Sequence, residues 1–284
     1  MKLGISSYSY NALIKDGTMN LTDVISHAAE TGYAQIEFVD LVPPVGADII
    51  EYAKTLRSHA ESRGIEISAY TVNADFLYPK IGSHTDEVAR IKGCLDVAAA
   101  MGAKMLRHDA TWGFKGRQGS YMEAVETIAP YIREVADYAQ SLGIKTMCEN
   151  HGWFMQDSYR MEYLVQKVNH PNFGLLIDIG NFLCADESPI TAVGRLTPYA
   201  SHVHVKDFLL KSGAEPTPGA GWFQSRGGDH LRGTVLGHGV VPVAQCIKIL
   251  RDNCYTDDVS MEFEGLENPL FAAEAGYKFL SGLV

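Results

Sequence analysis

The segment ASHVHVKDF, residues 200–208, carries three polar side chains at alternate positions. A β-strand points successive side chains to opposite faces, so His202, His204 and Lys206 would share one face while Val203 and Val205 share the other. Imidazole groups bind metal ions and transfer protons near neutral pH. The pattern therefore predicts that this strand faces a functional site, and the alternative is a polar core.

Three other strand-like segments carry carboxylates that could face the same site. They are Glu149 in MCENHG, Asp178 in LLIDIGN, and Glu262 and Glu264 in VSMEFEG. Three carboxylates buried together without a cation would be very costly. Oxygen-rich ligation with one imidazole suits Mn²⁺ or Mg²⁺, and Co²⁺ and Zn²⁺ are also compatible. The four segments together predict a divalent-metal site.

Strand-like and helix-like segments alternate along the chain. The eight strand candidates span 2–7, 34–40, 65–70, 104–109, 144–150, 173–181, 200–207 and 259–265. The helical patterns that follow them span 21–31, 47–63, 85–101, 121–142, 161–168, 190–196, 243–253 and 271–282. Repeated strand–helix units require parallel strands, and eight units predict a (β/α)8 TIM barrel in which residues 1–284 form a single domain. A doubly wound sheet is the competitor, but it would favour a glycine-rich phosphate loop after the first strand.

Active sites of such barrels lie where the strands end and their loops begin. The longest connection, 208–242, is rich in glycine, and we expect it to form an active-site loop; the alternative is a mobile surface excursion. Four residues in these regions are candidates for binding substrate oxygens, each against a salt-bridge or loop-stabilising role. They are Arg107 and His108 at the end of the fourth strand, Lys206, and His238.

Composition narrows the class of protein. The net charge is −10, with 46% hydrophobic and 20% charged residues. An acidic chain offers no electrostatic basis for binding nucleic acid or an anionic membrane, so we expect neither as a partner. The five scattered cysteines, the absence of a signal-peptide core and the absence of any run near 20 apolar residues predict a soluble cytoplasmic protein with reduced thiols. The sequence leaves the oligomeric state open, a homo-oligomer included.

The segments CENHG, NFGLLIDIGN, HVHVKD, GHGVVPV and VSMEFEG resemble the xylose isomerase-like barrel superfamily, in particular its sugar phosphate isomerase/epimerase group. The resemblance implies that the metal ligands are Glu149, Asp178, His204 and Glu262. His204 matches the second histidine of the family's H-x-H strand. The resemblance places His202 deeper in the barrel and Glu264 at its rim.

The resemblance also implies the chemistry. A divalent ion that chelates a carbonyl and its neighbouring hydroxyl acidifies the carbon between them. We expect Glu149 and Glu262, on opposite faces of the bound sugar or polyol, to remove and return that proton. The expected activity is a metal-dependent sugar isomerase or epimerase. If a leaving group stands β to the carbonyl, the same step makes a lyase, as in the inosose and dehydroshikimate dehydratases of the superfamily.

The chain departs from the ketose 3-epimerase pattern at three positions. These epimerases carry Glu six residues after the first metal Glu, His three after the metal Asp, and Arg six after the metal His. The corresponding residues here are Met155, Asn181 and Leu210. A simple free ketose is therefore a doubtful substrate. A hydrolase with a multi-zinc cluster would need more ligands, and a non-catalytic sugar-binding module would leave the carboxylates unexplained.

Overall fold

The computed structural model describes residues 1–284 and contains eleven β-strands, of which eight are parallel and close into a barrel. The strands are β1 (Leu3–Ser6), β2 (Gln35–Val39), β3 (Glu66–Val72), β4 (Met105–His108), β5 (Lys145–Glu149), β6 (Phe173–Asp178), β7 (Ala200–Val205), β8 (Asp207–Lys211), β9 (Phe223–Gln224), β10 (His230–Thr234) and β11 (Val259–Met261). Strands β1 to β7 follow one another around the barrel, and β11 pairs with both β7 and β1 to close it. The (β/α)8 prediction is confirmed.

Ten helices surround or cap the barrel. They are α1 (Asn11–Lys15), α2 (Leu21–Thr31), α3 (Ile49–Ser62), α4 (His84–Met101), α5 (Tyr121–Ser141), α6 (Ser158–Val168), α7 (Asn181–Cys184), α8 (Pro189–Leu196), α9 (Val243–Asp252) and α10 (Pro269–Ser281). Their ends follow the sequence signals: the Asn20 side chain accepts the Thr22 and Asp23 N–H groups at the start of α2, and Gly32 ends that helix with φ +109°. None of the helices is long and apolar enough to cross a membrane.

The alternation of side chains divides the core into two layers. Outward residues such as Val203 and Val205 are fully buried in the main core between strands and helices. Inside the barrel, four apolar residues from β3 to β6 form a separate cluster: Ala69, Met105, Met147 and Leu176. The other half of the interior is polar and fully buried, with Gln35, Glu37, His202 and Ser260 on β2, β7 and β11. The polar half lies beneath the strand ends that carry the predicted ligands.

The segment expected as a long loop has its own sheet. Strands β8, β10 and β9 form a three-stranded antiparallel sheet within residues 207–234. The sheet is not evident from the sequence because its strands are short and the residues between them are rich in glycine. Strand β11 is also shorter than expected: it ends at Met261, so Glu262 and Glu264 follow the strand. The five cysteines are all unpaired.

Candidate metal centre

The structure brings the four predicted ligands together. Glu149 and Asp178 are the last residues of β5 and β6, His204 lies in β7, and Glu262 follows β11 directly. One ligand atom from each of the four lies within 4.8 Å of the others. The Glu262 N–H donates to the Val205 carbonyl at 3.0 Å, which continues the barrel ladder by one residue and keeps this side chain in register.

Asp178 is held so that one carboxylate oxygen faces the ring. Its Oδ1 accepts the N–H groups of Gly180 and Asn181, each at 2.9 Å. The Asn150 side chain fixes the backbone of Asp178 by accepting its N–H at 2.8 Å and donating to its carbonyl at 2.9 Å. The buried Oδ2 faces the ring, 3.0 Å from Lys206 Nζ and 3.9 Å from His204 Nδ1.

Glu37 orients His204 from below. Its Oε1 lies 2.7 Å from His204 Nε2, and its Oε2 lies 3.0 Å from His202 Nε2. All three residues are buried inside the barrel. With Nε2 turned towards Glu37, His204 Nδ1 faces the Glu262 carboxylate at 3.8 Å. A carboxylate behind a ligating imidazole is the usual way to fix its tautomer and ring orientation.

Burial and the neighbouring charges shift the pKa values of two ring residues. Burial, with Glu149 and Glu262 nearby, raises the pKa of Asp178 to about 7 although Lys206 opposes the shift. Burial opposes protonation of His204, but Glu37 and the ring carboxylates outweigh it and raise its pKa to about 10. Without a metal, the ring thus retains protons that a bound cation would displace.

The residues fit a divalent ion by the chemistry of their free atoms. His204 Nδ1 is buried without a hydrogen-bond partner and faces Asp178 Oδ2 at 3.9 Å, an oxygen that also contacts Lys206 Nζ at 3.0 Å. Buried polar atoms are nearly always satisfied, so an unpartnered imidazole nitrogen aimed at a carboxylate oxygen needs an explanation. Three carboxylates and one imidazole match the ligand preference of Mn²⁺ and Mg²⁺.

Lys206 lies beside the ligand ring. Its Nζ is 3.0 Å from Asp178 Oδ2, contacts Glu262 Oε2 and is 3.6 Å from Glu264 Oε1. Burial opposes its charge, yet these carboxylates hold its pKa well above the ordinary value. Lys206 therefore provides a permanent positive charge at the edge of the ring. Glu264 lies at the rim, as the resemblance implied.

Arg107 forms an ion pair with Glu149, as Lys206 does with Glu262. Its guanidinium lies 2.7 Å from Glu149 Oε2 and 2.9 Å from Asp109 Oδ1. Asp109 in turn lies 3.0 Å from His151 Nδ1. Arg107 and His151 both line the cavity above the ring. Sequence reasoning missed Asp109 and His151, although both stand within two residues of a strand end, where the barrel rule directs attention.

Two predicted substrate-binding residues are not brought to this cavity. His108 alternates with the inward Arg107, so its ring points outward, fully buried, and contacts the rings of Phe76 and Phe173. His238 is exposed in the turn after β10 and does not line the cavity. The expectation for His108 failed because one position along a strand reverses the face.

The structure also shows where the three residues that depart from the epimerase pattern lie relative to the cavity. Met155 is buried, and Leu210 is exposed on β8; neither lines the cavity. Asn181 does line it, and its side-chain amide donates to Glu149 Oε1 at 3.0 Å. Asn181 therefore supports a predicted ligand.

Three residues of the ring line a cavity of about 1000 Å³ at the carboxyl ends of the strands. Glu149, His204, Lys206 and Glu262 are among the polar residues that line it. Several other lining residues are apolar: Ile14, Met19, Leu21, Leu41, Val42, Trp112, Trp153 and Phe223. The cavity thus combines a charged region at the ring with large apolar surfaces.

Comparison with known proteins finds a matching family and a related protein. A family model described as "Xylose isomerase-like TIM barrel" matches residues 25–283. The uncharacterized protein YihM of Escherichia coli (strain K12) is 27% identical over 145 residues, which are 51% of this chain and 43% of YihM. The match thus spans less than half the length of that relative.

Solved structures share the fold over almost the whole chain. The IOLI protein with a bound zinc atom has a TM-score of 0.77 at 18% identity, covering 100% of this chain and 98% of that one. The probable 3-DHS dehydratase AsbF of Bacillus anthracis has a TM-score of 0.75 at 18% identity, with 99% of both chains covered. D-psicose 3-epimerase from Clostridium cellulolyticum H10 has a TM-score of 0.74 at 17% identity, with 100% and 99% covered.

Proposed function

The chain belongs to the xylose isomerase-like TIM barrel family, and from this premise we propose that it is a divalent-metal-dependent enzyme that isomerises or epimerises a sugar or keto-sugar. One observation carries the proposal: Glu149, Asp178, His204 and Glu262 converge within 4.8 Å, with His204 Nδ1 buried and unpartnered, next to a cavity large enough for a small molecule. Mn²⁺ or Mg²⁺ suits these ligands best, and Co²⁺ and Zn²⁺ are compatible.

A bound divalent ion would supply Lewis-acid polarisation of a carbonyl and its neighbouring hydroxyl. The protein supplies the proton transfers. Glu149 on β5 and Glu262 after β11 are separated by β6 and β7, so they approach a substrate from two sides. One carboxylate removes the proton and the other returns it. Arg107 and Lys206 each form an ion pair with one of these carboxylates, and both can bind substrate oxygens.

A lyase is the second candidate, and Lys206 is the observation that favours it. Its ammonium group is a hydrogen-bond donor within a ring of acceptors, next to the proposed base Glu262. Such a donor can hydrogen-bond the departing hydroxyl group, which takes up the proton that Glu262 removed and leaves as water. The likeness in fold to a probable dehydratase supports the lyase, as the likeness to an epimerase supports the first candidate.

Solvent exchange tests both candidates because they share the proton-abstraction step. The Mn²⁺-loaded protein would be incubated in D₂O with a panel of ketoses, aldoses and keto-polyols. We expect deuterium at the carbon beside the carbonyl of the true substrate, lost in Glu262→Gln and retained in the matched control Glu274→Gln, an exposed residue of α10. An isomeric product identifies an isomerase, and loss of water identifies a lyase. No exchange across the panel would contradict the proposal.

A further inference from the structure

Two tryptophans line the cavity without any part in the proton transfer. Trp112 lies in the connection after β4, and Trp153 lies in the connection after β5. Trp112 is 43% exposed and Trp153 is 42% exposed. Large apolar side chains grouped at an open surface mark a place where a ligand or partner binds.

Trp153 is held in a costly backbone conformation. Its φ is +66°, which is unfavourable for a bulky residue. Its N–H donates to Gln156 Oε1 at 2.5 Å, and its carbonyl accepts from the Arg226 guanidinium at 2.5 Å. Arg226 is itself fixed by Asp157 at 2.9 Å. Contacts on both sides of the residue thus maintain a strained backbone, which is typical of functional positions.

The same contacts tie Trp153 to the ligand ring. Gln156 is buried, and its Nε2 donates to the Asn181 carbonyl at 3.1 Å. The Asn181 side chain then donates to Glu149 Oε1 at 3.0 Å. A continuous chain of hydrogen bonds therefore sets the position of this indole relative to a predicted metal ligand.

Trp112 is placed by close packing. Gly152 adopts φ +78°, and a Cβ there would lie 3.1 Å from the Trp112 indole. The indole also meets the His151 ring edge-on, with the centroids 5.3 Å apart. Trp112 therefore packs over the backbone of the segment that precedes Trp153.

We propose that Trp112 and Trp153 form an aromatic platform that binds an aromatic ring joined to the sugar, so that the substrate is an aryl-bearing sugar derivative. The inference rests on the proposed function for the sugar end of the ligand. A cavity of about 1000 Å³ is at the upper end of the range for small-molecule sites and has room for more than one ring.

An aromatic ring fits this platform better than a second sugar. Trp153 meets Phe223 edge-on at 6.2 Å, and Phe223 meets Phe208 at 5.7 Å, so the surroundings are aromatic. The nearby polar groups of Gln156 and Arg226 are already engaged in the hydrogen bonds that hold Trp153. They are not free to bind the hydroxyl groups of another sugar.

Equilibrium binding tests the platform without requiring turnover. Phenyl and methyl β-glycosides of glucose, galactose and xylose, with cellobiose, would be titrated into the metal-loaded protein by calorimetry and ligand-observed NMR. Phenyl glycosides should bind roughly tenfold more tightly than their methyl counterparts. This preference should be lost in Trp112→Leu and in Trp153→Ala. It should persist in Trp222→Ala, which changes the one other tryptophan of the chain, outside the cavity.

The outcomes separate this inference from the proposed function. Equal affinity for phenyl and methyl glycosides, no saturable binding of any phenyl glycoside, or equally tight binding of cellobiose would overturn the aryl platform. A phenyl preference that survives both cavity tryptophan variants would overturn it as well. Solvent exchange without an aryl preference would refute the platform alone, and an aryl preference without exchange would refute the proposed reaction alone.

Discussion

At the scale of single residues, the ligand ring depends on side chains placed directly behind it. Asp178 is oriented by Asn150 and by two backbone N–H groups, and His204 is oriented by Glu37. Each contact leaves one ligand atom pointing into the ring. The precision of the site therefore lies in partners that would never contact a substrate.

Glu37→Gln should weaken metal binding roughly tenfold or more, because the amide removes the charge that favours the Nε2–H form of His204. Competition with a metal-chelating dye would measure the dissociation constant, and the ¹⁵N shifts of His204 would report its tautomer. Ser260→Ala is the matched control, since Ser260 lies 3.1 Å from His202 Nε2 instead. Unchanged metal affinity in Glu37→Gln would refute this role.

Lys206→Met should increase the stabilisation that a metal confers on the protein. The ammonium group partly neutralises Asp178 and Glu262 in the metal-free chain, so its removal leaves greater repulsion for the metal to relieve. The shift in melting temperature on adding Mn²⁺ should be larger than in the wild type. Lys211→Met, on the exposed end of β8, should leave the shift unchanged. A smaller shift in Lys206→Met would show that the lysine assists metal binding.

At the scale of elements, strand alternation decides which residues reach the site. On β4, Arg107 turns inward to Glu149 while His108 turns outward between Phe76 and Phe173. Burial lowers the pKa of His108 to about 4. The residue therefore contributes to stability as a neutral side chain of the outer core.

The buried His108 should make the protein less stable in mild acid. Its folded pKa lies below the ordinary value of 6.5, so the unfolded chain binds a proton first as the pH falls. Its contribution is complete above pH 6.5 and is lost progressively as the pH falls towards 4. We expect roughly 2 kcal/mol of this loss by pH 5. Urea unfolding of the wild type and of His108→Gln at pH 7 and pH 5 would measure it, and an equal loss in both proteins would contradict the account.

Asp207, the first residue of β8, holds the turn before α9. Its carboxylate accepts the N–H groups of Phe208, Gly237, Gly239 and Val241 at 2.8–3.0 Å. The residue is buried, so the turn before α9 depends on it for its backbone hydrogen bonds.

Asp207→Asn should destabilise the protein by about 2 kcal/mol, because an amide cannot accept all four bonds and presents its own N–H groups to them. Thermal unfolding would measure the loss. Asp229→Asn is the control, since that carboxylate accepts the Gly213 N–H in an exposed turn. Equal and small effects of both substitutions would show that the turn holds without the charge.

At the scale of the whole molecule, repeating patterns could be predicted from the sequence and individual contacts could not. The eight strand–helix units were visible because hydrophobic periodicity and helix-ending glycines recur along the chain. Barrel order then brought Glu149, Asp178, His204 and Glu262 to one point. Glu37 was missed because β2 is distant in sequence, and a single glutamate in AQIEFVD carries no distinctive signal.

The remaining differences have equally local causes. His108 was misplaced because the inward and outward positions of a four-residue strand cannot be assigned without its register. The hairpin within 207–234 was missed because β9 has only two residues. The apolar part of the cavity is built by separate loops, so only the three-dimensional structure shows that Trp112 and Trp153 line one cavity.

The most direct test of the central claim is the metal content of the purified protein, measured by elemental mass spectrometry after loading with Mn²⁺ and dialysis. We expect about one divalent ion per chain, lost in Glu149→Ala and His204→Ala and retained in His59→Ala, a histidine on the outer helix α3. Absence of metal from the wild type, or equal metal in the wild type and both ligand variants, would contradict the account. The histidines of residues 200–208 would then be part of a polar core.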